Sequence, residues 1–207
     1  MSSGFHVGTL LLFAAASLLV IASVSAPLWH TMGFLKVNYR VGGSPIELVF
    51  GTFGYCVRGP TETLCTSRHI GYNIAEIISS VGGQPFSSST TTTLNNLTKG
   101  LILHPIGAGI AGIAFLIALC AHRIGFLFSS LIAAVGSIVV AVAVVFDFVA
   151  FSIARRHVND IRAAGTHATY GIVIWLTLGA GVALILGSVT VCCGCFTDRR
   201  RKHRSRY

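Results

Sequence analysis

The sequence predicts an α-helical membrane protein: a bundle of four transmembrane helices with a small extracellular β-sheet, stapled by a disulfide, in the first outer loop. Three observations carry this expectation. The 207 residues are 53% hydrophobic and only 10% charged, with a mean hydropathy of +0.77, values that leave a water-soluble domain far too much apolar surface to hide. Four apolar blocks are each long enough to cross a bilayer, which takes about 20 residues. Between the first two blocks lies a more polar stretch with strand-like alternation and a close cysteine pair, in FGTFGYCVRGPTETLC. The remaining room allows one modest domain outside the membrane, and a large catalytic domain does not fit.

Residues 1–8 read as a cytosolic N-terminus and 9–28 as the first span. A cleavable signal is the alternative for that block, because IASVSAP offers small residues after a short apolar run. Against cleavage, residues 1–8 hold no Lys or Arg, and Pro27 follows the best cleavage point at Ala26. The other spans are 101–121, 126–154 and 170–194, with a cytosolic turn at 122–125 and a second outer loop at 155–169. The third block, GFLFSSLIAAVGSIVVAVAVVFDFVAFSIA, gives roughly 45 Å of helix at 1.5 Å per residue, so it should tilt or project from the membrane.

Orientation follows from the basic tail, 195–207, whose Arg199, Arg200, Arg201, Lys202, Arg204 and Arg206 supply six of the fifteen basic residues. The positive-inside rule keeps this end, and with four spans the N-terminus too, in the cytosol. Arg155, Arg156 and Arg162 in the second outer loop are outnumbered. The net charge of +9 is largely this tail, so nucleic acid is not implied. Anionic lipid of the inner leaflet is the partner such a juxtamembrane cluster attracts, with a plain stop-transfer role as the alternative.

The outer loop, 29–100, holds the sheet at about 34–70. In LKVNYRV the apolar Leu35, Val37, Tyr39 and Val41 alternate with polar residues. A two-residue turn at Gly42-Gly43 would set Tyr39 opposite Ile46, Val37 opposite Leu48 and Leu35 opposite Phe50. Pro45 is tolerable at the start of the second strand. Cys56 and Cys65 face an oxidising compartment across a short loop, where a disulfide is expected and free thiols are the alternative. IAEIISSV has helical spacing and closes the sheet domain near Val81. The Ser/Thr run at 87–93 reads as a flexible spacer, either a plain linker or an O-glycosylation site. Asn96-Leu97-Thr98 is the one N-glycosylation sequon, placed so close to the second span that occupancy is not expected.

Trp29 in PLWH, Phe53 in FGYC, Cys56 and Cys65 resemble the claudin-type first-loop signature, with Phe53 where claudins carry Trp. LTKGLILHPIGAGIAGIAFLIAL, DFVAFSIARR, YGIVIWLTLGAGVAL and CCGC resemble the fungal pali-domain family, a claudin-like branch that includes the PalI component of the ambient-pH response. The resemblance covers roughly 5–195. It implies a claudin-like tetraspan fold at the plasma membrane. Its functional branches are an accessory of a pH-signalling receptor complex and an eisosome-type or cell-wall-linked organiser of membrane domains. A claudin-like pore or adhesion role is a third reading, although the mixed charges of the outer loop define no pore lining.

Asp147 is the one acidic residue inside a span, and a carboxylate at that depth is costly enough to read as functional. His104 falls at similar depth on the neighbouring span, so the two form an expected intramembrane polar pair, read either as structural glue or as a titrating switch. Small residues four apart (Gly107 with Ala111, Ala108 with Gly112, and Gly179, Ala183 and Gly187) suit close helix packing, within the bundle or in a homo-oligomer. Cys192, Cys193 and Cys195 lie beside the basic tail and are candidate palmitoylation sites. Unmodified thiols are the alternative there, and CCGC is too tight for a zinc site. GxSxG, HExxH and P-loop motifs and paired carboxylates are missing, so neither an enzyme nor a cofactor is expected.

Overall fold

The computed structural model describes the backbone of residues 3–41, 43–81, 84–120, 123–160 and 165–204, and the side chains within them except those of 3–5, 41, 123–126 and 193–204. Among the described residues six α-helices, one 3-10 turn and five strands fall into two compact units. The bundle unit comprises residues 1–20, 104–142 and 177–207; the sheet unit comprises 21–103 and 143–176.

Among the described residues four stretches are long and apolar enough to cross a membrane: His6–Ser23, Ser88–Cys120, Leu127–Asp160 and Ile172–Cys192. Their helices are α1 (Ser3–Ser23), α4 (Leu103–Cys120, preceded by the helical 88–102), α5 (Arg123–Asp160) and α6 (Ile172–Arg204). Helix α1 stops at Ser23, short of the expected end at 28, because Pro27 cannot continue a helix and Ser25 bridges to Trp29 instead. Helix α5 begins at Arg123, so residues 123–125 of the expected 122–125 turn are helical, and His122 lies outside the described residues. At 38 residues α5 is longer than a bilayer requires, as the apolar block indicated.

Within the bundle unit many of the buried positions are small and many of the outward ones large. Ala15, Ala111, Ala114, Ala118, Ala133 and Ala180 are buried, whereas Leu10, Phe13, Ile113, Leu116, Leu131 and Ile138 are half exposed or more. Large apolar side chains facing outward all along a helix suit hydrocarbon rather than water. Small residues inside let backbones approach: a Cβ on Gly107 would lie 2.8 Å from Val140, and one on Gly187 3.1 Å from Leu12. A Cβ on Gly112 would meet nothing, so of the two ridges on α4 the one through Gly107 and Ala111 is packed inside this unit. Ser129 donates to the Ala114 carbonyl at 2.7 Å and Ser130 to that of Ser188 at 3.1 Å, tying α5 to α4 and α6.

The sheet unit is built on five antiparallel strands: β1 (Leu35–Val41), β2 (Ser44–Phe50), β3 (Tyr55–Arg58), β4 (Thr63–Cys65) and β5 (His167–Tyr170), in the order β4-β3-β2-β1-β5. Leu35 faces Phe50, Val37 faces Leu48 and Tyr39 faces Ile46, the register that alternation and a two-residue turn dictate. Gly43 sits in that turn at φ 87°, a conformation that favours glycine. The apolar face packs Leu35, Val37, Tyr39, Leu48 and Phe50 against α2 (Ile74–Ser80) and the last turns of α5, with the Phe34 and Phe151 rings stacked at 5.3 Å.

Strand β5 comes from the second loop, which the sequence left without structure. Asn159 of α5 brackets Ala168, accepting from its N–H at 2.8 Å and donating to its carbonyl at 3.3 Å, while Arg155 lies 4.8 Å over the Tyr170 ring and Ser152 meets the Tyr170 hydroxyl at 2.7 Å. The strand is held by α5 as much as by β1.

The expected spacer at 87–93 is a helix, α3 (Ser88–Lys99). Ser87 caps it, accepting from Thr90 N–H at 3.3 Å, and Thr91, Thr92 and Thr93 donate to the carbonyls four residues back. Leu94 is buried against Ala75 and Ala150, the tertiary contact that overrides the low helix propensity of the threonines. Ser87→Ala is expected to cost about 1 kcal/mol by removing the cap. Thermal unfolding checks this, and an unchanged midpoint would show that the packing of Leu94 alone fixes the helix.

Tyr39 is 4% exposed, and its hydroxyl finds no hydrogen-bond partner among the described residues. Tyr39→Phe is therefore expected to leave stability unchanged or raise it by about 1 kcal/mol, since it removes a polar atom that folding desolvates. A loss of that size in chemical denaturation would reveal a partner.

Candidate functional site

The cysteine pair closes the far edge of the sheet. Cys56 of β3 stands directly opposite Cys65 of β4, their Cα atoms 4.1 Å apart, and the two are disulfide-bonded. Cys56 is wholly buried against Val49 and Ala26, whereas the three residues of β4 are exposed. A strand that short has too few ladder bonds and too little buried area to hold its place alone, so the covalent link fixes it.

Cross-strand register sets the opposite face of the sheet. His167, Asn38, Glu47, Arg58 and Thr63 form one row across all five strands. Arg58 bonds Glu47 at 2.8 Å, Lys36 approaches the same carboxylate at 3.8 Å, and Asn38 meets His167 at 3.2 Å. These are partly solvated pairs on a polar face, each worth little to stability.

Tyr72 is the hub of the apolar side. It precedes Asn73, whose side chain caps α2 by accepting from Glu76 N–H at 3.3 Å. Its hydroxyl donates to the Gly51 carbonyl at 2.6 Å, its own carbonyl accepts from Thr98 Oγ1 at 2.9 Å, and its ring stacks on Phe50 at 6.1 Å. Gly51 is pinned in turn: a Cβ there would run into the backbone oxygen of Ala26. The next residue, Thr52, donates its hydroxyl to the Ala22 carbonyl at 2.8 Å and its N–H to Ser25 Oγ at 3.0 Å. This buried network ties the β2–β3 turn to the end of α1. Burial pushes the Tyr72 phenol far above its usual range, and the negative charge of Asp147 pushes it further.

Asp147 therefore lies within electrostatic range of Tyr72, a residue that the sequence reading did not single out. The signal that could have found it is a lone aromatic directly before a helix cap. Asp147 is 1% exposed within the sheet unit, and His104 is fully buried in the first turn of α4. Trp29 is 46% exposed and its carbonyl accepts from Met32 N–H at 3.0 Å, whereas Phe53 is half-buried and its carbonyl accepts from His69 N–H at 3.1 Å. Asn96 is exposed on α3, and the hydroxyl of Thr98, the third sequon residue, is buried in its bond to Tyr72. Cys192 is a half-buried free thiol; the side chains of Cys193, Cys195, Arg199, Arg200, Arg201, Lys202, Arg204 and Arg206 lie outside the described residues. Among the described residues no group of three His, Cys, Asp or Glu side chains could hold a metal ion.

Four spanning helices and a disulfide-stapled antiparallel sheet define a multi-pass membrane protein. The chain belongs to the SUR7/PalI family, whose model matches residues 5–187. It is similar to the pH-response regulator protein palI/RIM9 of Yarrowia lipolytica, 29% identical over 185 residues, which are 88% of this chain and 22% of that one. It is also similar to the pH-response regulator protein palI/prr-5 of Neurospora crassa, 33% identical over 113 residues, 54% of this chain and 15% of the relative. A membrane protein named TOS7 in Saccharomyces cerevisiae is 27% identical over 104 residues, 50% of this chain and 16% of its own length. The chain thus spans less than a quarter of each of these relatives.

Proposed function

We propose that this chain is a non-enzymatic component of ambient-pH signalling at the plasma membrane, with both termini in the cytosol and the stapled sheet unit displayed outside. The supporting observation is the similarity to the Yarrowia lipolytica pH-response regulator, which runs over 88% of the chain and so takes in the sheet unit as well as spans. Its partners would be a pH-signalling receptor complex and the anionic lipid of the inner leaflet, drawn to the basic tail. Deleting the gene in its own organism tests this: the expected result is loss of the transcriptional response to alkaline medium with growth at acid pH intact. A normal alkaline response would overturn it.

A second reading, an organiser of membrane domains of the eisosome type acting as a homo-oligomer or with other membrane proteins, draws on the family match over residues 5–187, which takes in the sheet unit and the spans, since organising needs a membrane-embedded body. Palmitoylation of Cys192, Cys193 and Cys195 beside the basic tail would serve either reading by combining two membrane signals. The triple change to serine is expected to abolish acyl-exchange labelling and disperse the protein from ordered patches. Absence of labelling on the unmutated chain would remove this part of the proposal.

A further inference from the structure

Between β3, the 66–73 segment and α2 the sheet unit opens a cleft of about 330 Å³, lined by Tyr55, Thr66, His69, Tyr72, Asn73, Glu76, Ile77 and Ser80. We infer that this cleft binds a cationic group, an ammonium or guanidinium. It owes nothing to the pH-response reading or to the orientation of the chain.

The chemistry of the wall favours a cation on three counts. Glu76 is the one charged side chain in the lining, and no Lys or Arg contributes to it in a chain whose overall charge is +9. Arg68 is adjacent in sequence but outside the lining. Glu76 is exposed, and its carboxylate is oriented on one side by Asn73 Nδ2 at 3.4 Å, which leaves acceptor positions toward the cleft.

The aromatic rings add to this. Tyr55 and Tyr72 lie 6.2 Å apart at 46°, and His69 stands edge-on to Tyr72 at 6.3 Å, so three rings meet in the lining, and the face of a tyrosine ring attracts positive charge. His69 Nδ1 is 2.8 Å from the Ser67 carbonyl; a carbonyl only accepts, so Nδ1 carries the proton, and in the neutral ring Nε2 is an acceptor. Thr66 Oγ1 already donates to the Tyr55 carbonyl at 3.3 Å. The Glu76 carboxylate and His69 Nε2 are acceptors, and no Lys or Arg stands in the lining to hold an anion, so a cation is the better match.

The two sources of such a group are a free polyamine and a basic side chain on a protein. The test uses the full chain in nanodiscs, titrated with spermidine and separately with a tetralysine peptide, with maltotriose as the neutral competitor chemistry. The expected result is saturable binding of one cation probe or both, weakened at least about tenfold by Glu76→Gln, where a charge-assisted contact is lost, and about threefold by Tyr55→Leu. Glu62→Gln, an exposed carboxylate outside the cleft, should leave binding unchanged. Saturation by spermidine identifies a free amine as sufficient, and saturation by the peptide alone identifies a protein side chain. Equal loss in Glu62→Gln would reduce the effect to diffuse charge and overturn the site. So would no loss in Glu76→Gln with its melting curve unchanged, or maltotriose binding that Glu76→Gln does not alter.

Discussion

Replacing Cys56 by alanine and Cys65 by serine is expected to destabilise the sheet unit by about 2–3 kcal/mol and to reduce delivery of the protein to the cell surface. The figure is the chain entropy returned to the unfolded state when a loop of about ten residues is no longer closed. Against a total stability of about 5–15 kcal/mol for a whole domain, that is a large fraction. The local structure makes the loss specific. Cys56 is wholly buried and β4 is three exposed residues, so without the covalent link the β3–β4 edge frays while the β1–β2 ladder, with its seven paired positions, persists. Hydrogen exchange of the β4 amides before and after reduction reads this directly. Protection unaffected by reduction would show that the disulfide carries no structural weight.

Above about pH 10 the sheet unit is expected to lose stability steeply. Burial pushes the Tyr39 phenol from 10.0 to about 12, and burial followed by the Asp147 charge pushes Tyr72 higher still. Below pH 10 both phenols are protonated in the folded and unfolded chains alike, and their contribution is fully present. As the pH rises further the unfolded chain releases protons that the folded one retains, so the unfolded state is favoured. Each phenol removes roughly 1 kcal/mol per pH unit from pH 10 upward, as far as about pH 12 for Tyr39 and to higher pH for Tyr72. Denaturant unfolding at pH 9 and pH 11 should differ by about 2 kcal/mol in the native sequence and by about half of that in Tyr39→Phe. An undiminished pH dependence in the double variant Tyr39→Phe, Tyr72→Phe would mean that other groups are responsible.

What could be read from the sequence is what rests on local pattern. Alternation in LKVNYRV and the Gly-Gly turn determine the β1–β2 register, and two cysteines nine positions apart outside a membrane determine a staple. Features that depend on a distant partner could not be read. Strand β5 is four residues long with only Ala168 buried, and it exists because Asn159 and Arg155 of α5 hold it against β1. Helix α3 has the composition of a linker; its burial at Leu94 depends on Ala75 and Ala150, far from it in sequence or in another element.

The candidate site divides in the same way. Asp147 stood out because a carboxylate is rare in a span, and His104 because it falls at similar depth; both are buried. Tyr72 did not stand out, because its hydroxyl bond to Gly51 and its proximity to Asp147 are consequences of folding. The acceptor-rich cleft beside it was equally hidden, being assembled from one strand, one loop and one short helix whose residues carry no motif.

Placement of the stapled sheet unit on the outer face of the plasma membrane is tested most directly by labelling intact cells with a membrane-impermeant maleimide, before and after mild impermeant reduction. Cys65, the exposed partner of the pair, should react only after reduction, and Cys120, the exposed free thiol at the end of α4, only once the cells are permeabilised. Labelling of Cys120 in intact cells, with Cys65 protected until permeabilisation even under reduction, would put the sheet unit on the cytosolic side and contradict the proposed topology.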